Sequence, residues 1–147
     1  MSRLKLNTAE PAAYNAMLGL EKYMAGSILS PKHKELIKIR ASQINGCAFC
    51  IDMHTRDARK LGETEQRIYA LNAWRDTNFF DEQEQAILAL TEEVTLIAGK
   101  HVSNETYDRA ASVLGEKYLA QVLMAIIIIN AWNRIGITTE LMPELQK

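Results

Sequence analysis

Two cysteines, three prolines and seven glycines are all that the 147 residues hold of the types that staple or sharply turn a chain. A sandwich or barrel of short strands turns every eight to twelve residues and draws on Gly and Pro to do so, and their scarcity disfavours an all-β fold. Two cysteines cannot form the disulfide framework of a small secreted domain. Charge of one sign is also missing: 17 Lys and Arg stand against 18 Asp and Glu, for a net charge of -1. No basic cluster overlies an aromatic stretch, so nothing is present to neutralise a phosphate backbone or an anionic membrane surface, and neither nucleic acid nor membrane is expected as a partner. The longest apolar run, Val122 to Ile129, is far shorter than the ~20 residues of a membrane-spanning helix, which makes it a core segment. The segment Met1-Ser-Arg-Leu-Lys-Leu-Asn-Thr has no apolar core or cleavage site of an export signal, and a cytoplasmic location is expected.

What is present is helix punctuation along a chain that is 48% hydrophobic and 24% charged, the profile of one globular domain over residues 1–147. A first helix is expected from about Glu10 to Ala25, closed by Gly26-Ser27. Ser30-Pro31 opens a second, with Pro at the first helical position where its missing N–H has no partner to lose. Asn45-Gly46 ends it. A third runs from Cys47 to Leu61, with Gly62 as its left-handed stop. Thr64 caps a fourth carrying Ile68, Leu71 and Trp74, and Asp81-Glu-Gln-Glu84 is a capping box for a fifth with Ala86, Ile87, Leu90, Val94 and Ile97 at helical spacing, closed by Gly99. Ser103 to Gly115 bounds a sixth. A seventh, from about Glu116 to Ile135, is apolar on nearly every side and belongs at the centre of the fold or against another subunit. The expectation is an all-α, single-domain bundle of six to seven helices that associates with further copies of itself.

The chemistry concentrates in Cys47-Ala-Phe-Cys50-Ile-Asp-Met-His54. On a helix, positions i, i+3 and i+7 share a stripe, which Ile51, Ala58 and Leu61 continue, while Asp52, Arg56, Asp57, Arg59 and Lys60 lie largely off it. The thiols and the imidazole therefore face inward. Two thiols one turn apart can close a disulfide, and helix-terminal N–H groups favour a thiolate at Cys47. His54, four residues beyond Cys50, favours Cys50 instead by taking its proton or facing its thiolate. These arguments select different nucleophiles. A zinc site built on Cys47, Cys50 and His54 is a third possibility, although His33 and His101 lie in distant segments with no motif around them. Glu35 comes roughly alongside His54 if the helices fold back at Gly46, yet Leu36, Ile37, Ala41 and Ile44 form a stripe largely opposite it, which marks Glu35 as a surface carboxylate. Asn130, Asn133 and Arg134, at i, i+3 and i+4 on the apolar helix, need partners there, and a hydrogen-bonded latch is expected. Met53 and Trp132 could line a cavity for an organic substrate, but at helical spacing they are more simply core.

The spacing Glu35-x11-Cys47-x-x-Cys50-x3-His54, together with Asn130-Ala-Trp-Asn-Arg-Ile135, resembles the signature of AhpD-like alkylhydroperoxidases in the carboxymuconolactone decarboxylase superfamily. The resemblance is strong over about Leu36 to Leu61 and covers about half the chain. It implies an all-α fold assembled as trimers or hexamers with the site near a subunit interface. It also implies Cys50 as the peroxidatic thiol, Cys47 as the resolving one, and Glu35 and His54 as a proton relay. The activity so implied is a thiol-dependent peroxidase acting on a small hydroperoxide, regenerated by an external dithiol, with no metal, haem or flavin. The alternatives are a lactone decarboxylase of the same superfamily and a non-catalytic redox-sensing or zinc-binding module. One departure stands out: members of the AhpD group often carry a relay histidine just before the second cysteine, where this chain has Phe49.

Overall fold

A computed structural model describes residues 2–147. The elements are α1 Leu6–Ala9, α2 Pro11–Ala25, α3 Pro31–Asn45, α4 Ala48–Lys60, α5 Glu65–Tyr69, a 3-10 turn Leu71–Asp76, α6 Glu82–Thr95, α7 Asn104–Leu114 and α8 Glu116–Thr138. No strand occurs among the described residues, and the fold is all-α. Local chemistry sets most boundaries. Pro31 begins α3, and Gly46 closes it at φ 71°, a backbone conformation that glycine adopts without steric cost. Asp81 and Glu84 form the reciprocal capping box, the Asp81 carboxylate accepting from the Glu84 N–H at 2.9 Å and the Glu84 carboxylate accepting from the Asp81 N–H at 3.0 Å. Thr64 and Ser103 cap α5 and α7 through their hydroxyl oxygens.

Four boundaries differ from expectation. The short α1 precedes the first expected helix, and Glu10 is the residue before α2 instead of part of it. The helix expected from Thr64 past Trp74 breaks after Tyr69, and Ala73 inside the following turn is non-helical at φ -121°, ψ 29°. That break lets Ile68, Leu71 and Trp74 all reach one core cluster with Leu36, Ile39, Ala58, Phe80, Leu88 and Ala89. Helix α6 stops at Thr95, so Ile97 lies beyond it and half exposed. Finally, α8 continues through Gly136 to Thr138, one turn past the expected end at Ile135.

Helix α3 lies at the centre of the packing, against α4, α6 and α8 together. A larger core cluster gathers Ile37 and Ala41 of α3, Ile87 and Leu90 of α6, Val122, Ala125, Ile126, Ile128 and Ile129 of α8, and both cysteines. Helix α8 is long and apolar enough to cross a membrane by composition alone, but it carries the fully buried, hydrogen-bonded Asn133 and packs against α2, α3, α4, α6 and α7. It is a core helix, and burial of its inner face against five neighbours is what fixes the relative positions of α3 and α4.

Candidate redox site

The left-handed turn at Gly46 folds α4 back along α3 and sets Cys47 at the N-cap of α4. Cys47 and Cys50 are joined as a disulfide, with Cα atoms 5.4 Å apart, within the range that a one-turn bridge requires. The Cys47 sulfur accepts the Cys50 backbone N–H at 3.4 Å, so it occupies the electropositive end of the helix. Both cysteines are buried, Cys47 at 1% exposure and Cys50 at 5%. The inner wall beside them is backbone: a Cβ at Gly136 of α8 would lie 3.4 Å from the Cys47 sulfur and 4.0 Å from that of Cys50. Cys47 is thus the more deeply covered thiol.

One turn beyond Cys50, His54 places Nδ1 3.0 Å from Glu35 Oε2. Glu35 is 8% exposed, which corrects its reading as a surface carboxylate. The helical wheel failed because α3 is enclosed on more than one side: α6 and α8 cover the apolar stripe, and α4 covers the arc that carries Glu35. Lys38 Nζ stands 3.7 Å from the other Glu35 oxygen. A carboxylate on Nδ1 holds the proton on that nitrogen of a neutral imidazole and leaves Nε2 with a lone pair, the atom able to take a thiol proton. Asp57, read from spacing as off the stripe, belongs to this group as well, since one ligand atom each of Glu35, His54 and Asp57 lie within 4.8 Å of one another.

The turn that presents Cys47 is tied down from α8. Asn45, two residues before it, donates from Nδ2 to the side-chain oxygens of Asn130 at 2.9 Å and Asn133 at 3.0 Å. Asn133 in turn donates to Ser42 Oγ at 3.0 Å, and Asn130 to Thr95 Oγ1 at 3.1 Å. The expected latch is therefore real, and its role is to hold the end of α3. Arg134 lies outside it on the surface, donating to Asn130 Oδ1 at 2.9 Å. Met53 is 37% exposed, and Trp132 is held by a bond from its Nε1 to Glu21 at 2.9 Å. Neither lines the groove of about 790 Å³ that is found on another face of α8.

Gly136 and Lys38 were not singled out by sequence reasoning. For Gly136 a signal existed, because a glycine inside an apolar helix costs about 1 kcal/mol against alanine and calls for a close approach to explain it. The C-terminal segment adds a further contact. Leu141 donates its backbone N–H to the Gly136 carbonyl at 2.9 Å, and its side chain lies beside the same glycine. Arg3 fastens this turn through the Thr138 carbonyl at 2.9 Å and the Glu140 carboxylate at 3.0 Å.

Residues 11–93 match the model of the carboxymuconolactone decarboxylase family. The chain belongs to that family. Its likeness to individual proteins is of the AhpD kind. It is 50% identical over 127 residues, 86% of each chain, to the uncharacterised protein YdfG of Bacillus subtilis (strain 168). It also superimposes with TM-score 0.95 and 34% identity on a protein of unknown function, ATU0492, from Agrobacterium tumefaciens, for which a role as the antioxidant defence protein AhpD has been suggested, covering 99% of this chain and 100% of that one. The debrominase Bmp8 shares the fold at TM-score 0.83 and 22% identity, over 93% of this chain and 74% of its own. Family membership and the AhpD-like fold thus agree with the family resemblance carried by the Glu35, Cys47, Cys50 and His54 spacing.

Proposed function

We propose that the protein is a thiol-dependent peroxidase that reduces a small organic hydroperoxide and is recycled by an external dithiol. The observation that carries this reading is the Cys47–Cys50 pair at the head of α4, one turn from an imidazole whose Nδ1 is held by the buried Glu35. Lactone decarboxylation needs no such dithiol.

In this mechanism His54 Nε2 takes the proton of Cys50, and the thiolate attacks the terminal oxygen of ROOH. The O–O bond breaks, Cys50 becomes a sulfenic acid, and the proton held on His54 goes to the leaving alkoxide to give ROH. Cys47, as thiolate, then attacks the Cys50 sulfur, and with one proton the hydroxide leaves as water. An external dithiol donates two electrons and two protons to restore both thiols and departs as a disulfide. Two features support Cys50 as the first nucleophile. It is the less covered residue, 5% exposed against 1%, and it is the one four residues from His54. The helix-end N–H on Cys47 suits the other half of the cycle, where that sulfur must act as the attacking thiolate. Dependence on a dithiol donor places the protein in a reducing compartment, in keeping with a cytoplasmic location.

Single substitutions test the roles. Cys50→Ser is expected to abolish hydroperoxide consumption, whereas Cys47→Ser consumes one equivalent and stops as a sulfenic acid that a sulfenate-specific reagent captures. If Cys50→Ser were the variant that captures and Cys47→Ser the inert one, the two thiols would have the opposite roles.

A further inference from the structure

Glu35, His54 and Asp57 bring three metal-ligating side chains together between α3 and α4, and the proton relay uses only the first two. One ligand atom from each lies within 4.8 Å of the others. His54 and Asp57 stand at i and i+3 on α4, the spacing by which one helix supplies an imidazole and a carboxylate to the metal centres of helical bundles. Glu35 completes the set from α3. The closest pair, His54 Nδ1 and Glu35 Oε2, is 3.0 Å apart. At the ~2.0–2.1 Å bond lengths of zinc such a separation subtends about 90° at the ion, and a few tenths of an ångström more gives a tetrahedral edge.

The carboxylates of this group are not saturated. Glu35 is 8% exposed, yet its Oε1 accepts no hydrogen bond among the described residues and faces the Lys38 ammonium at 3.7 Å. Asp57 faces Lys60 at the same 3.7 Å. Both separations are longer than a hydrogen bond, so an ion can displace the two ammonium groups without breaking one. The Asp57 side chain is 43% exposed, which gives the ion a path from solvent and leaves room for water to complete its coordination. One imidazole with two carboxylates suits zinc and its neighbours in the first transition row, whereas Mg²⁺ and Ca²⁺ take oxygen ligands.

We propose that Glu35, His54 and Asp57 form a regulatory site that takes up one dissociable Zn²⁺ and thereby switches the relay off. The switching, which rests on the peroxidase reading, follows from the two nitrogens of one ring. Without the ion, Glu35 keeps the imidazole proton on Nδ1 and leaves Nε2 with a lone pair. Zinc on Nδ1 takes that position, the single proton of the neutral ring passes through water to Nε2, and Nε2 becomes a donor that has no lone pair for the Cys50 proton. Competition from Lys38 and Lys60 keeps the ion exchangeable, so a chelator restores the base.

The test uses chelator-treated protein in its disulfide form, in which neither cysteine offers a thiolate, titrated calorimetrically with Zn²⁺ alone. Binding of one ion per chain at micromolar concentration is expected, and Asp57→Asn and Glu35→Gln should each weaken it by about tenfold or more, since even the outer partners of metal ligands contribute that much. Nitrogen NMR of the wild-type imidazoles should show the His54 proton move from Nδ1 to Nε2 as zinc is added. In the reduced protein, zinc should slow hydroperoxide consumption by about tenfold or more, the lower range for loss of a positioned base, and should slow Asp57→Asn far less, each compared with its own zinc-free rate. No binding at millimolar zinc, equal binding by wild type and both variants, or a His54 proton that stays on Nδ1 would overturn the site. Equal slowing of wild type and Asp57→Asn would place the ion on the thiols and overturn the switch. The calorimetry and NMR need no turnover, so the zinc site and the peroxidase assignment can fail separately.

Discussion

Two buried acidic groups of this protein are neutralised in different ways, and the contrast separates a place built for stability from one built for proton exchange. Around Arg67 the charges are saturated. Its guanidinium binds both carboxylate oxygens of Glu63 at 2.8 and 3.3 Å, pairs with Glu84, donates to the Phe79 carbonyl at 2.6 Å and stacks 4.5 Å from the centre of the Phe80 ring. Both carboxylates also accept backbone N–H groups, from Thr64 and Asp81. Burial alone would lower the Arg67 pKa, but these carboxylates raise it, and the group never releases a proton in the working range. Glu35, equally buried, has instead a histidine at 3.0 Å and a lysine at 3.7 Å. Its main partner is an imidazole whose second ring nitrogen can serve as a base. The first arrangement fixes α5 against the start of α6. The second can pass a proton to and from a neighbouring thiol.

The largest difference expected between the two is in stability. Arg67→Met leaves two buried carboxylates without their cation, which typically costs about 3 kcal/mol or more. In a chain of this size that lowers the melting temperature by roughly 10 °C, and thermal unfolding should show it with peroxidase turnover of the folded fraction unchanged. Glu35→Gln should do the reverse. It keeps the volume and a hydrogen bond to His54 but removes the charge, and steady-state hydroperoxide consumption with a generic dithiol should fall about tenfold or more, the lower range for a positioned proton-transfer group, with little change in melting. If Glu35→Gln instead behaves like Arg67→Met, destabilised but fully active, the contrast collapses and Glu35 is structural.

Phe49 sharpens the same comparison with a smaller effect. It is half-buried against the larger core cluster, which includes both cysteines, and can neither donate nor accept a proton. Phe49→His supplies a second imidazole next to Cys50 and should raise turnover while the fold is kept, measured in the same assay.

The smallest effect expected is a pH dependence on the saturated side. Burial lowers the His33 pKa from its ordinary 6.5, against the opposing pull of Glu84 and Asp81 and with the aid of Arg67, and its Nδ1 lies 2.7 Å from the Tyr118 hydroxyl. The folded protein thus favours neutral His33. Its contribution to stability is complete above pH 6.5 and is lost as pH falls through 6.5 toward the lowered value, because the unfolded chain binds the proton first. Denaturant midpoints measured between pH 7.5 and 5 should decline, and His33→Gln should flatten that part of the curve.

Most of the architecture was legible in the sequence because the helix signals are local. The proline at the head of α3, the glycine after it, and the capping box of α6 each act within a few residues, and the boundaries they set agree with the structure to within a residue. The break after Tyr69 was not legible. Its cause is tertiary, the need for Ile68, Leu71 and Trp74 to enter one core cluster. At the candidate site the stripe of Cys47, Cys50 and His54 followed from helical spacing, and the latch of Asn130 and Asn133 followed from the cost of burying polar groups. The burial of Glu35 did not follow from either. A wheel counts one apolar face, and α3 is covered from several directions. Gly136 escaped notice for a related reason, since a residue without a side chain shows its importance only through what approaches it.

The cycling of the dithiol within one subunit is tested most directly by a single-turnover titration. The fully reduced protein, freed of reductant and anaerobic, is treated with one equivalent of an alkyl hydroperoxide, and free thiols, released alcohol, bound zinc and intact mass are measured together. The predicted result is the loss of both thiols, one alcohol formed per chain, no zinc, and a mass lower by two hydrogens without covalent dimer. Two thiols retained with one tightly bound zinc, or alcohol formed while both thiols remain free, would contradict it.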